Sequence, residues 1–219
     1  MKKISTAAAC LSFFLNVSAQ EAPPPFKWIF KMSPQHLVLN MLKVESEFFN
    51  RPKSRSYQAS VQVVSNNDGK GYHCCAFPYN GIGAEFGMRR YILPLQETTT
   101  KKGRQLTHGI YLSGFIQGGT YRGDFKGVDS HHDFQTGIRT DVPYEFSTRI
   151  NNAAIGFTIG LQRIFWRVLS LDAYVGAGYQ GNRATINGNQ PDGYGYAEIG
   201  APNYDGVLPK IGLSLGLAL

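Results

Sequence analysis

A run of alternating residues, Ala153-Ala154-Ile155-Gly156-Phe157-Thr158-Ile159-Gly160-Leu161-Gln162, decides the fold of this 219-residue chain. Successive side chains of a β-strand point to opposite faces, so Ile155, Phe157 and Ile159 share one face and small or polar residues share the other. An amphipathic helix would instead need apolar residues three and four positions apart. The segment therefore predicts a strand with one apolar face.

The same alternation recurs along most of the chain. Leu169, Leu171 and Ala173 share a face after this run, and Ile211, Leu213 and Leu215 do so near the C-terminus. Eight segments are predicted strands: 26–32, 37–48, 56–65, 81–92, 108–122, 150–164, 168–182 and 207–219. Several exceed the five or six residues usual in soluble sheets and match a tilted strand that crosses a bilayer. Without helical periodicity or a linker, the chain is predicted to be all-β, an eight-stranded antiparallel meander.

Composition narrows the class of protein. Only 17% of residues are charged, against about a quarter on average, while the chain has 25 Gly, 14 Phe and 12 Tyr. Such low charge argues against a disordered chain or a coiled coil. Three cysteines are too few for a disulfide scaffold, and a mean hydropathy of −0.22 excludes a helical bundle in lipid.

The N-terminus has the pattern of a secretory signal peptide. Lys2 and Lys3 precede a short apolar run, and Val17-Ser18-Ala19 matches the small-x-small cleavage pattern. Residues 1–19 are therefore predicted to be removed, which leaves 20–219 as one barrel domain. A lipoprotein signal at Cys10 is the rival interpretation, but it leaves almost no apolar run before the cysteine.

Alternation alone fits a soluble lipocalin-like β-protein and a membrane barrel equally, because each has one apolar face. Two further features favour the membrane barrel. The non-apolar faces are rich in glycine, which suits a narrow lumen. Aromatic residues also cluster at predicted strand ends, as in the interfacial girdles of outer-membrane barrels. These residues are Trp28, Phe30, Phe48, Phe49, Tyr91, Tyr121, Phe165 and Trp166.

The lengths of the joins between strands alternate as well. Outer-membrane barrels have short periplasmic turns and long extracellular loops. The joins after strands 2 and 6 are short, and those after strands 3, 5 and 7 are the long polar segments 66–80, 123–149 and 183–206. Join 1 is predicted to be a tight turn around Ser33-Pro34-Gln35. The long join 4, at 93–107, is the exception to the rule.

Five stretches carry a family resemblance: Val44-Glu45, Gly83-Ala84-Glu85-Phe86-Gly87-Met88-Arg89-Arg90-Tyr91, Ile155-Gly156-Phe157-Thr158-Ile159-Gly160-Leu161-Gln162-Arg163, Leu169-Ser170-Leu171-Asp172-Ala173-Tyr174-Val175-Gly176-Ala177-Gly178-Tyr179 and Leu208-Pro209-Lys210-Ile211-Gly212-Leu213-Ser214-Leu215-Gly216. In them the chain resembles the small outer-membrane β-barrels of Gram-negative bacteria, in the group with OmpA- and OmpX-type barrels, and more narrowly a subfamily without an assigned activity. The resemblance implies a transmembrane meander in the cell outer membrane. The chain departs from the group at its end, because Leu219 stands where such barrels commonly have an aromatic residue.

The alternation places several charged residues on the lumen side. They are Lys43, Glu45, Glu47, Glu85, Arg89 and Asp172. Side chains fill the interior of an eight-stranded barrel, and unpaired buried charges are costly. These residues are therefore predicted to form a structural salt-bridge network that plugs the lumen, with Arg89 near carboxylates on the Glu85 or Glu45 side. A narrow ion path is the alternative.

Other chemical groups give weaker signals. Ser130, His131, His132 and Asp133 lie in the predicted loop 123–149 and suggest either a lipid hydrolase or weak metal capture. Residues adjacent in sequence seldom face one another usefully, so a solvated loop is the preferred interpretation. Cys74 and Cys75 are neighbours in the 66–80 loop, and free thiols or a strained bridge both remain open. No phosphate loop, nucleotide fingerprint or nucleic-acid surface is found.

The sequence therefore predicts a non-enzymatic outer-membrane barrel with an envelope-structural or surface-interaction role. No catalytic residue, cofactor or metal site is expected, and the protein is expected to be a monomer. Its expected partners are outer-membrane lipids and an extracellular partner that meets loops 66–80, 123–149 and 183–206. A lipid-modifying barrel enzyme and a soluble lipocalin-like binder are the two alternatives.

Overall fold

The computed structural model describes residues 27–50, 54–65, 79–99, 105–132, 139–189 and 202–219. Within them lie eight strands and a short 3₁₀ helix. The strands are β1 (Trp28–Met32), β2 (Met41–Phe49), β3 (Arg55–Val64), β4 (Asn80–Thr99), β5 (Gln105–His132), β6 (Arg139–Phe165), β7 (Leu169–Asn189) and β8 (Gly206–Ala218). The 3₁₀ helix, η1, covers Pro34–Leu39.

Each strand pairs antiparallel with the next one along the chain, and β1 pairs with β8, so the sheet closes into a barrel. The predicted eight-stranded antiparallel meander is thus confirmed. A path that starts at Lys31 and moves from each residue to its partner on the next strand ends at Gly206 on β8. The direct pairing between β1 and β8 joins Lys31 to Gly216 instead, so the strands are staggered by ten residues around the barrel. With strands about 4.8 Å apart, this stagger tilts them by roughly 40° from the barrel axis.

Apolar side chains face outward around the whole barrel. Phe157 is 63% exposed and Ile211 is 80% exposed, whereas Thr158 beside Phe157 is buried. A soluble lipocalin-like barrel would have the opposite arrangement, with its apolar faces inward. The structure therefore contradicts that alternative.

The predicted second strand, 37–48, begins too early. Residues 34–39 form η1, and Asn40 ends it in the left-handed conformation with φ of 54°. A positive φ is uncommon outside glycine, and asparagine is among the residues that tolerate it best. Join 1 is consequently a helical turn rather than a tight one, and η1 packs against β2 and β8.

The long join 4 predicted at 93–107 is wrong. β4 continues to Thr99 and β5 begins at Gln105, so only residues 100–104 separate the two strands. Two register shifts, between Tyr91 and Leu93 and between Leu93 and Gln96, interrupt the pairing. These β-bulges, the second of which includes Pro94, break the alternation that would have marked the strand in the sequence. The exception to the loop-length rule disappears.

The predicted loop 123–149 is also wrong, because most of it is strand. β5 and β6 pair as far as His132 with Arg139. Phe125 and Phe146 stack with ring centroids 4.8 Å apart. This hairpin carries charges on its outer face: Lys126 Nζ lies 2.6 Å from Glu145 Oε1, and that hydrogen bond raises the pKa of Lys126. Without an apolar outer face, alternation could not reveal the extension.

β7 likewise extends to Asn189, so the predicted loop 183–206 is shortened at its start. The end of that join folds over the barrel mouth. Asn182 Nδ2 donates to the carbonyl of Asn203 at 2.8 Å, and Gln180 Nε2 donates to that of Tyr204 at 3.0 Å. The predicted signal peptide and most of the predicted loop 66–80, with Cys74 and Cys75, lie outside the described residues.

Candidate functional site: the charged interior

Four charged side chains meet in the half of the lumen nearer Trp28 and Leu219, which are hydrogen-bonded neighbours. This lower quartet consists of Lys31 on β1, Glu47 on β2, Arg89 on β4 and Asp172 on β7. Lys31 Nζ lies 2.5 Å from Glu47 Oε2 and 2.7 Å from Asp172 Oδ2. Arg89 NH1 lies 3.2 Å and 2.6 Å from the same two oxygens. Two cations thus face two anions, and the quartet is neutral.

Neutral hydrogen-bond donors complete the lower quartet. The Tyr111 hydroxyl donates to Asp172 Oδ1 at 2.7 Å, and the Tyr91 hydroxyl lies 2.9 Å from Glu47 Oε1. Gln162 Nε2 donates to Glu47 Oε2 at 3.0 Å, and the Arg89 guanidinium lies 4.2 Å from the centre of the Tyr111 ring. The carboxylates therefore have several partners each, as buried ions require.

A second group of four charges lies further up the barrel. This upper quartet consists of Lys43 and Glu45 on β2, Glu85 on β4 and Lys210 on β8. Lys43 Nζ lies 2.9 Å from Glu85 Oε2 and 3.7 Å from Glu45 Oε1, and Lys210 Nζ lies 2.7 Å from Glu85 Oε1. Ser33 Oγ donates to Glu45 at 2.8 Å. Two cations again balance two anions.

Apolar groups lie above and below the two quartets. Ile29, Phe49 and Ile164 are buried in the cluster at the lower end. Val64, Tyr79, Tyr121 and Ile150 form another cluster near the upper end. Phe49, Tyr91 and Tyr121 therefore point into the lumen, and their predicted place in an outer aromatic girdle is wrong. Strand-end position alone does not decide the face; the parity of the residue within the strand does.

Glycine makes room for the aromatic side chains inside. The Tyr111 ring covers Gly160, and the Tyr174 ring covers Gly212, so a Cβ at either glycine would overlap the ring. The glycine-rich faces predicted to line a lumen do face inward, and tyrosines from neighbouring strands occupy the space.

All six residues predicted for the lumenal network are brought into the interior and are divided between the two quartets: Lys43, Glu45, Glu47, Glu85, Arg89 and Asp172. The expected partners of Arg89 need correction. It contacts Glu47 and Asp172, whereas Glu85 binds Lys43 and Lys210. The stagger of ten residues causes this, because it sets which residues of different strands lie at the same height in the lumen.

Two lysines of the quartets were missing from the predicted set. Lys31 alternates with the apolar Phe30 and Met32, and Lys210 lies next to Ile211. The same parity that identified Glu85 and Asp172 would have placed both lysines inside.

The outer surface forms an apolar belt bounded by arginines. Along β6 the outward residues Ile155, Phe157, Ile159 and Leu161 lie between Arg149 and Arg163. These arginines are 14 residues apart along β6. With the strands tilted by roughly 40°, this corresponds to a distance of about 35 Å along the barrel axis. Arg55 and Arg90, paired across β3 and β4, lie outward at the lower edge. The separation suits a hydrocarbon layer of about 30 Å.

The other predicted chemical groups gain no site. Ser130, His131 and His132 pair by backbone with Asp141, Thr140 and Arg139, but their side chains and Asp133 lie outside what the structure describes. Among the described residues no three His, Cys, Asp or Glu side chains form a metal-binding group. No helix in the described part of the chain is long and apolar enough to span a membrane.

Comparisons with known proteins add little. No protein-family model and no curated protein matches the chain. Among solved structures, the chain is similar to a major outer membrane protein from Thermus thermophilus, at 10% identity and a TM-score of 0.37 over 89% of this chain and 100% of that one. A superposition this weak does not define a function for the chain.

Proposed function

We propose that the protein is a non-enzymatic barrel of the bacterial outer membrane, of the same general kind as OmpA- and OmpX-type barrels, with a lumen sealed by its own side chains. One observation carries the proposal: the outer wall is an exposed apolar belt, while eight charged side chains are paired inside. In water that arrangement would expose a wide apolar surface to solvent. In a bilayer the apolar belt contacts the lipid chains, and the charged side chains are kept away from lipid inside the barrel.

The sealed lumen favours a structural or surface-interaction role over transport. Each quartet is neutral and crosses the lumen, linking β1, β2, β4 and β7 in one case and β2, β4 and β8 in the other. Solutes would have to displace these ion pairs. The β5–β6 hairpin, which extends well beyond the belt, is the natural element for contact with an extracellular partner.

Cell fractionation combined with heat-modifiable gel migration tests this proposal. We expect the mature chain in the outer-membrane fraction, with a compact form that shifts its migration on boiling. Recovery in the soluble periplasm, or a single migration rate in folded samples, would contradict the membrane barrel.

Epitope insertion tests which end faces outward. A tag placed between residues 133 and 138 should bind antibody on intact cells, because this segment connects β5 to β6 at the end of the hairpin that is proposed to face outward. A matched tag between residues 100 and 104 should bind only after the outer membrane is opened. The reverse result would invert the proposed orientation.

A further inference from the structure

Three arginines form a basic patch on the outside of the barrel, on three adjacent strands. The basic patch consists of Arg122 on β5, Arg149 on β6 and Arg183 on β7, all of which are exposed. Arg122 and Arg149 are direct cross-strand partners. Arg183 pairs with Asn151 and is therefore a diagonal neighbour of Arg149. Cross-strand partners place their Cβ atoms about 5 Å apart, and diagonal neighbours lie within about 8 Å.

The tilt of the strands brings the three arginines to one level. Each step from a residue to its partner on the next strand climbs about 3 Å along the axis, and Arg183 lies two residues below the partner of Arg149. The three Cα atoms therefore fall within about 3 Å of the same height. On β6 and β7 the last large outward residues of the apolar belt are Ile155 and Tyr179, six residues from Arg149 and four residues from Arg183, so the basic patch lies about 10–15 Å above them.

The positive charge of the basic patch is largely uncompensated within the described part of the chain. Arg122 contacts Asp124 at 3.2 Å, and both side chains are well exposed. No carboxylate there forms an ion pair with Arg149 or Arg183. Like charges directly opposite on a sheet destabilise it, so an external anion would relieve a repulsion that the protein itself leaves.

A concave site lies beside two of these arginines. A cavity of about 340 Å³ is lined by Arg122, Arg149, Ser147, Thr148, Thr185 and Asn187, and Arg183 lies outside this lining. Hydroxyl, amide and guanidinium groups there can donate hydrogen bonds to several oxygens at once. Guanidinium groups match phosphate oxygens in paired, two-point contacts.

We propose that the basic patch binds the phosphate of a phosphorylated lipid headgroup in the outer leaflet. This inference rests on the proposed function, because the patch meets a bilayer surface only if the belt is embedded. The position of the patch selects the occupant: the headgroup sits against the arginines while its acyl chains lie along Ile155 and Tyr179 below. A soluble anion would use the same donors but would gain nothing from the belt.

Titration of the folded, detergent-solubilised protein with lipid A, followed by native mass spectrometry, tests the inference. We expect the wild-type protein to bind lipid A in preference to its fully dephosphorylated form. Arg149→Gln should weaken binding about fivefold and Arg149→Gln with Arg183→Gln about 30-fold, since each basic residue at an anionic lipid surface contributes a factor of about five. The affinity of the double variant Arg149→Lys, Arg183→Lys for lipid A should lie between that of the wild-type protein and that of the double glutamine variant.

Lys126→Gln is the matched control. It removes one positive charge from the outer face of β5, at a lysine already paired with Glu145, and should leave lipid A binding unchanged. Equal binding by the double glutamine variant, no preference for the phosphorylated lipid, or full displacement by millimolar inorganic phosphate would each overturn the lipid site. Heat-modifiable migration of every variant separates these results from failure of the barrel itself, which would overturn the proposed function and this inference together.

Discussion

At the scale of single residues, charge balance holds the interior together. Asp172 forms ion pairs with Lys31 and Arg89 through Oδ2 and accepts a hydrogen bond from the Tyr111 hydroxyl at Oδ1. Its removal leaves two buried cations facing one anion. An uncompensated buried charge costs more than a neutral pair of the same groups, because the pair's attraction offsets the desolvation of both ions.

Asp172→Asn should therefore destabilise the folded barrel by about 3–5 kcal/mol. Adding Lys31→Met to it removes one charge of each sign and leaves Arg89 with Glu47, so the double variant should recover much of that loss. Urea unfolding in lipid vesicles, followed by heat-modifiable migration, measures both. If the losses in the free energy of unfolding simply add in the double variant, charge balance does not determine the stability of the lower quartet.

The contact of Tyr111 with Gly160 gives a second test. Gly160→Ala places a methyl group where the Tyr111 ring lies, and so pushes the ring away from Asp172. We expect a loss of about 1–3 kcal/mol in the free energy of unfolding. Gly114→Ala on β5 is the control, since no atom lies within 4 Å of its added Cβ. A similar loss in both variants would point to a general cost of replacing strand glycines.

At the scale of elements, β6 spans the whole apolar belt and can report its depth. Phe157 lies near the middle of the belt, and Leu161 lies outward near its lower edge, two residues from Arg163. Phe157→Arg should destabilise the barrel by about 2–4 kcal/mol in vesicles, and Leu161→Arg by at most about 1 kcal/mol, because the cost of a lipid-facing charge falls toward the interface. Equal costs would place the bilayer elsewhere.

The β5–β6 hairpin above the belt should behave as a separate unit. Phe146 is buried against Phe125 and lies 6.0 Å from the Tyr144 ring. Phe146→Ala should speed trypsin cleavage of the hairpin in intact vesicles while the heat-modifiable barrel remains. Val142→Ala, at an exposed position, should cleave at the wild-type rate. Loss of the barrel in the Phe146 variant would mean that hairpin and barrel fold as one.

Strands could be predicted from the sequence where they cross the apolar belt and not where they extend beyond it. Inside the belt, lipid on one side and a packed lumen on the other enforce strict alternation, so Ile155, Phe157 and Ile159 gave the correct face. Above it the outer face meets water, so outward residues such as Asp124 and Lys126 look like a loop although they are strand. Near Pro94 the bulges shift the parity, which hid the lower part of β4.

At the scale of the whole molecule, the stagger of the barrel could not be derived from the sequence. Alternation placed Glu85 and Arg89 inside, but the partners of each residue depend on which residues of the other strands lie at the same height in the lumen. Glu85 and Arg89 are on the same strand, four residues apart, yet they belong to different quartets. A change of two residues in the stagger would keep every face correct and change the ion pairs.

Planar-bilayer recording shows whether the lumen is sealed, once co-flotation with vesicles has established that the purified, heat-modifiable protein is inserted. We expect the inserted barrel to show no stable large single-channel conductance, because two neutral quartets and the buried aromatic residues fill the lumen. Stable large conductance steps from the wild-type protein would contradict the sealed barrel and establish the ion-path alternative.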